Sequence, residues 1–313
     1  RADQGDVRKA LPMLAINPAF ADEKAMTKAM TEDARRRGWT SFRATFRLEI
    51  AEALRSRWWA SYALVFFALT GLLLVFGLTE SRVLGFTGLS RTLVTYTQLA
   101  MAIAPVFVLI STVRSLAGDR EAGVFEYILA LPLSLGGWYW GRVMGRFALA
   151  VAPVAGALVA ALIYGAARGV AIPWREFLFD MGLLASLIFA FIGIGFLVST
   201  LTRKVDTAQT LAFLIWLGLL LALDLILLGV LIRSQAPLES VVMAAMLNPL
   251  QVFRVASMML FDPQLVLLGP TAYAIFDIFG RELFLVWAFA YPIALGALSA
   301  GLGYWALKRS DLP

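Results

Sequence analysis

Six stretches of this chain, 58–79, 93–116, 142–164, 181–201, 208–232 and 284–307, are apolar over the length of a membrane crossing. A hydrocarbon core about 30 Å thick needs about 20 apolar residues in helical form. In lipid a helix satisfies its own backbone groups, whereas an open strand does not. The runs are continuous rather than alternating, which argues against a strand barrel. The expected fold is therefore an all-α polytopic membrane protein with six transmembrane helices. A composition that is 60% hydrophobic and a mean hydropathy of +0.79 agree with this, since a soluble domain is roughly half apolar.

The residue types present narrow the chemistry. There is no cysteine and no histidine, so disulfides are out and the commonest metal ligand and general base is missing. No metal site is expected. The Walker pattern G-x-x-x-x-G-K-[ST] is absent and no Gly-Lys pair occurs, so the chain is not expected to bind ATP or any other cofactor. A membrane-embedded enzyme of the prenyltransferase kind would need closely spaced aspartates beside a span, and none is found. The net charge of +6 reports topology in such a chain rather than a nucleic-acid partner.

Residues 1–38 form a polar lead, with a helix expected over 21–37. The first strong apolar run starts near residue 58, too late for a secretory signal. Over 39–57, Trp39, Phe42, Phe46, Ile50, Leu54 and Trp58 recur every three or four residues, while Arg43, Arg47, Glu49, Glu52 and Arg55 cover the other side. This predicts an amphipathic helix in the interface plane that leads into the first span. With the amino terminus inside, the inner segments from residue 35 on carry fifteen Lys and Arg, including Arg35-Arg36-Arg37, against seven outside. That bias places both termini in the cytoplasm.

The second and third spans are joined by a cytoplasmic loop, 117–141, that cannot sit in a bilayer. It opens with Asp119, Arg120 and Glu121. Val124, Phe125, Ile128 and Leu131 then share a face of a short helix, which Pro132 ends. Gly136-Gly137 reads as a turn, and Trp138, Tyr139 and Trp140 suit an interface. On the residues alone, two readings stand: a passive interfacial loop, or an element that transmits a push from a soluble partner.

The sequence Gly118-Asp119-Arg120-Glu121-x-Gly123-x-x-Glu126, then Leu131-Pro132-x-Ser134 and Gly141-Arg142-x-x-Gly145, resembles the first cytoplasmic loop of ABC-2-type ABC transporter permeases. Val124 and Phe125 stand where that family usually shows Thr-Leu. The resemblance implies a type V exporter-like fold with an N-terminal elbow helix, here entered by Glu49 or Glu52, Arg55 and Arg57. It also implies a coupling helix that docks on a cytoplasmic ABC ATPase dimer, which would use ATP and Mg. In that expectation Val124, Phe125, Ile128 and Leu131 form the gripped face, and Asp119, Arg120, Glu121 and Glu126 set its register by charge pairs.

Elsewhere the spans carry isolated polar groups. Gln98, Pro105 and Pro153 interrupt the second and third spans, and Asp224 is the one carboxylate expected well within a span. An ionisable residue there is costly. It reads as a gate, a pathway residue, a dimer contact or a structural hydrogen bond. The 202–207 loop reads as a second ATPase contact or as a plain tight connection. Residues 233–282 form a long outer loop whose pieces 241–246 and 252–261 suit re-entrant or interfacial helices. Met243, Met246, Met258 and Met259 lie here. Thioethers suit Cu(I), but such a cluster reads better as flexible packing. In the last span, Gly296, Ala297, Ala300 and Gly301 make two small-x-x-x-small pairs that permit close helix approach.

A narrower resemblance lies in 84–89, Leu-Gly-Phe-Thr-Gly-Leu, in Asp224, and in Asn248-Pro249-x-x-x-Phe253-Arg254. These are similar to the NosY-type permeases of nitrous-oxide-reductase maturation. That implies a bacterial inner-membrane homodimer and a periplasmic NosD-like repeat protein contacted near Asn248, Pro249, Phe253 and Arg254. It also implies copper or sulfur delivery to a periplasmic copper enzyme. The competing expectations are an ABC-2 exporter of another cargo (drug, lipid or polysaccharide) and an ATPase-independent channel or membrane anchor.

Overall fold

The computed structural model describes residues 18–77, 88–131, 133–233, 238–259 and 279–310. Among these residues the chain is helical and has no strand. The helices are α1 (Pro18–Leu54), α2 (Arg57–Gly77), α3 (Gly88–Glu121), α4 (Val124–Ala130), α5 (Leu135–Ala167), α6 (Trp174–Leu201), α7 (Val205–Arg233), α8 (Leu238–Leu247), α9 (Pro249–Met259) and α10 (Arg281–Ser310). Helices α2, α3, α5, α6 and α10 are long and apolar enough to cross a membrane. The sixth stretch is one 29-residue helix, α7. The protein is a multi-pass membrane protein. The end of α1, the helix α4 and the α6–α7 turn share one face, called here the elbow face; α8 and α9 lie on the opposite face.

Helix α6 is the most buried of the spans. It sits between α10 and α3, and small residues make that possible. A Cβ on Gly193 would stand 2.1 Å from the Gly296 carbonyl oxygen, and one on Gly195 would stand 2.9 Å from Thr112 Cβ. Of the two small-residue pairs in the last span, Gly296 and Ala300 face this seam. Ala297 is exposed, and Gly301 has open space around its Cα. Tyr139, fully buried, ties three helices together: its hydroxyl donates to the Ala300 carbonyl at 2.8 Å, and its ring meets Phe196 at 5.4 Å.

Several expected boundaries move. The polar lead and the elbow helix do not divide at residue 38, because α1 runs unbroken from Pro18 to Leu54 through Gly38 and breaks only at Arg55-Ser56. At 37 residues it is about 55 Å long. The 117–141 segment is mostly not loop. Asp119, Arg120 and Glu121 close the last turn of α3, and α5 begins at Leu135, seven residues before the expected span. Gly136-Gly137 is therefore no turn. It lies in the first turn of α5, which Ser134 caps by accepting from the Gly137 N–H at 3.2 Å. Trp138 and Tyr139 are buried in the chain rather than held at a lipid interface.

The reason is the crossing of α1 over α5. A Cβ would stand 2.3 Å from the Gly38 carbonyl oxygen at Gly137, 2.8 Å from the Phe42 carbonyl oxygen at Gly141, and 2.8 Å from Glu49 Cβ at Gly145. Three glycines at i, i+4 and i+8 strip one face of α5 so that the elbow helix lies directly on its backbone. Helix α6 also starts earlier than expected, at Trp174 instead of residue 181. The outer pieces fold as α8 and α9. Residues 84–87, 234–237 and 260–278, Pro132, and the side chains of Asp224 and Glu126 lie outside what the structure describes.

Candidate functional site

On the elbow face, α4 is a seven-residue shelf between two long helices. Gly123 makes the corner. Its φ of 68° is left-handed backbone, which a glycine adopts without a Cβ penalty. At the other end Leu131 is extended (φ −76°, ψ 148°), as a residue before proline must be. At 100° per residue, Val124 and Phe125 cannot face the same way, so the expected four-residue face divides. Phe125 is buried against Trp138, ring centroids 5.8 Å apart, with the Arg120 guanidinium 5.6 Å from its ring. Ile128 is half-buried and packs against the core. Val124, Tyr127 and Leu131 project outward, with Tyr127 77% exposed. The stripe open to a partner is thus Val124–Tyr127–Leu131, and Tyr127 is not part of the face expected from the sequence.

The charges flanking the shelf are engaged within the chain. Asp119 accepts a short hydrogen bond from Arg142. Arg120 donates to the Thr200 and Thr202 carbonyls at 2.5 and 3.3 Å. Glu121 accepts from the Val205 N–H at 2.8 Å. These last two bonds fasten the end of α3 to the α6–α7 turn, so both loops of the elbow face are one unit. Ser199 strengthens the joint, accepting from the Leu116 and Ala117 N–H groups at 3.1 and 3.0 Å and donating to the Val113 carbonyl at 2.7 Å. On the turn itself Arg203, Lys204 and Asp206 remain exposed.

Behind the shelf lies an ion network. Glu49 of α1 meets Arg142 Nε at 2.8 Å and Arg146 Nε at 3.3 Å, and Arg142 continues to Asp119. Arg146 also donates to the Ser111 carbonyl at 2.8 Å, and Arg142 lies 4.9 Å from the Trp138 ring. The Glu49 side chain is 7% exposed. Pairing is what lets such groups be buried at all; Arg146 Nε is within ion-pair distance of Glu49 but makes no hydrogen bond among the described residues. The network joins α1, α3 and α5 to the shelf. The sequence offered Glu49 and the Gly-Arg-x-x-Gly pattern separately; nothing in the linear pattern paired them.

On the opposite face, three of the four expected partner contacts are turned inward. Asn248 donates to the Leu219 carbonyl at 2.6 Å and its Oδ1 accepts from the Leu250 N–H at 3.0 Å. Pro249 and Phe253 are buried, and Arg254 alone of the four is exposed. Gln98 donates to Ser257 Oγ at 2.7 Å, tying α3 to α9. The methionines do not converge outward: Met246 and Met259 are in the core, whereas Met243 is 64% exposed. No cluster of three or more His, Cys, Asp or Glu side chains occurs among the described residues.

Asp180 is the acid the sequence reading passed over. The apolar run 181–201 begins just after it, but α6 starts at Trp174, so Asp180 lies nearly two turns inside and is 1% exposed. Thr97 donates to its Oδ2 at 3.4 Å, and its Oδ1 has no hydrogen-bond partner among the described residues.

Residues 43–312 match the family model described as ABC-2 family transporter protein. Two curated relatives are each described as "Probable ABC transporter permease protein NosY". The one from Pseudomonas aeruginosa is 28% identical over 222 residues, covering 69% of this chain and 81% of the relative. The one from Stutzerimonas stutzeri is 27% identical over 222 residues, covering 69% and 80%.

Proposed function

This chain belongs to the ABC-2 family of transporter proteins, and from that premise we propose that it couples ATP hydrolysis in a separate ABC ATPase to transport or signalling across a bacterial inner membrane. Two copies of the chain would stand over two ATPase subunits, which bind the ATP and Mg, with both termini in the cytoplasm. The observation that carries this reading is the shelf α4. It presents an apolar stripe, Val124–Tyr127–Leu131, on a mount that is otherwise fully engaged within the chain.

The mechanism follows from the mount. A push on α4 cannot be absorbed locally, because Arg120 and Glu121 tie it to the α6–α7 turn and Asp119 ties it through Arg142 to Glu49. Helices α3, α5, α6 and α7 must shift together, and packed interfaces of this kind switch between discrete arrangements. Helices α8 and α9 would follow, since Gln98, Leu219, Trp287 and Tyr291 bond them to α3, α7 and α10. Cargo or signal would then pass to a periplasmic NosD-like repeat protein at the face carrying Arg254, Met243 and Leu247. The likeness to NosY proteins supports maturation of a periplasmic copper enzyme such as nitrous oxide reductase, with copper or sulfur as what is delivered.

The test is a mild-detergent purification of the intact chain with mass spectrometry of its companions. An ABC ATPase together with a periplasmic repeat protein is the expected result. An ATPase alone would retain the coupling role and remove the copper-enzyme assignment. Neither, with the dimer preserved, would overturn the proposal in favour of a channel or anchor.

A further inference from the structure

Where the elbow helix ends and α2 begins, a cavity of about 250 Å³ opens between α1, α2, α3 and α5. Its walls mix three acidic or basic groups with aromatic rings: Glu49, Glu52 and Arg146, with Trp58, Tyr62 and Phe107. We propose that this cavity binds the ammonium headgroup of a phospholipid from the leaflet on the elbow face.

Position is the first argument. Arg146 is eleven residues into α5 and Ser111 ten residues from the end of α3, so both lie roughly 15 Å from their helix ends. Helix α5, with 33 residues, is about 50 Å long and exceeds a 30 Å hydrocarbon core by about 20 Å. The cavity therefore sits at the boundary between headgroups and acyl chains. Trp58 and Trp59, the second and third residues of α2, mark the same level.

The second argument is which groups remain open to a ligand. Two of the wall donors are already used: Trp59 Nε1 donates to the Leu149 carbonyl at 3.1 Å and the Tyr62 hydroxyl to the Ala150 carbonyl at 3.0 Å. The one cation in the wall, Arg146, is held by Glu49 and the Ser111 carbonyl. A phosphate approaching that cation would meet the Glu49 carboxylate, 3.3 Å from its Nε, and Glu52 in the same wall. Glu52, by contrast, is exposed at the cavity and pairs with no cation among the described residues. Counting Asp119, Glu49 and Glu52 against Arg142 and Arg146, the network and cavity together hold one negative charge in excess.

The rings supply the rest. Phe107 lies 5.3 Å from Trp58 and 5.4 Å from Tyr62, a joined aromatic surface that attracts an ammonium group. The volume is roughly that of eight waters, enough for a small headgroup. The ammonium would sit between Glu52 and the rings, the phosphate at the mouth in water, and the acyl chains along α2. This site stands independently of any ATPase.

The test uses the full chain, delipidated in detergent and titrated in parallel with palmitoyl-oleoyl phosphatidylethanolamine and palmitoyl-oleoyl phosphatidylglycerol, with bound lipid counted by native mass spectrometry. One ethanolamine lipid per chain, retained about tenfold more strongly than the glycerol lipid, is expected; that ratio corresponds to ~1.4 kcal/mol. Glu52→Gln should remove the preference, and Ala53→Trp, which fills the cavity without altering charge, should remove the bound lipid. Equal retention of both lipids overturns the proposal. So does a preference that survives both substitutions. Free phosphorylethanolamine displacing the lipid at equal concentration would also overturn it, since the occupant would then be a soluble amine rather than a membrane component.

Discussion

Glu121 Oε2 lies 2.8 Å from the Val205 backbone nitrogen, so the last residue of α3 satisfies the first N–H of α7 across 84 residues of chain. A side chain that accepts from a helix's first turn contributes about 1 kcal/mol. Glu121→Ala should lower the melting temperature in detergent by about 2 °C, and Glu121→Gln, which keeps an acceptor oxygen, should restore most of it. An unchanged melting temperature in the alanine variant would mean that the bond holds nothing.

Phe125 and Tyr127 lie two residues apart but have opposite surroundings, the first 5% and the second 77% exposed. Tyr127→Asp and Leu131→Asp should each cut ATPase co-purification at least about tenfold, equivalent to ~1.4 kcal/mol, while leaving the yield of folded chain intact. Phe125→Asp should instead reduce the yield, because a buried unpaired carboxylate costs several kcal/mol. If the two exposed variants held the ATPase as well as wild type, α4 would not be the docking element.

Gly137 and Gly71 offer a matched pair. A methyl group on Gly137 meets the Gly38 carbonyl oxygen at 2.3 Å, whereas one on Gly71 meets nothing within 4 Å. Gly137→Ala should destabilise the chain by about 1–3 kcal/mol and expose α1 to limited proteolysis. Gly71→Ala should be silent in both assays. Equal behaviour of the two would refute the close crossing of α1 on α5.

Glu49→Gln removes the anion shared by Arg142 and Arg146, leaving Arg142 with Asp119 alone and Arg146 with no ion-paired carboxylate among the described residues. Breaking a buried pair from one side costs about 3–5 kcal/mol. The loss should be nearly the same at low and high salt, since buried pairs are poorly screened. A salt-sensitive loss, read from melting temperatures across an ionic-strength series, would place the network in solvent instead.

Much of the fold could be read in the sequence because lipid leaves few choices. The apolar lengths gave the spans, and the spacing of Trp39, Phe42, Phe46 and Ile50 gave the elbow. What failed was the boundaries of the elements. Asp119–Glu121 and Leu135–Gly141 looked like loop because they are polar or glycine-rich, yet both are helix. In both places another part of the chain covers the extension: α1 lies on the start of α5, and the α6–α7 turn bonds the end of α3. The shelf was visible as a short helix, but its outward face was not. Val124 and Phe125 are equally apolar, and only the position of Trp138 decides which of them is buried. Asp180 was missed for the same reason as the start of α5: the helix begins before the hydrophobic run does.

The crossing of α1 on α5 also sets a timetable for biogenesis. Ser41 bonds the Ser134 N–H across 93 residues of sequence, and Glu49 meets its arginines across a similar distance. At about 5–20 residues per second, the ribosome needs some 5–20 s to deliver α5 after α1 has emerged. For that interval the elbow helix lacks the α5 surface that covers it, and its apolar side lies on the membrane instead. A chain built this way holds its first helix at the lipid surface until the third membrane crossing arrives.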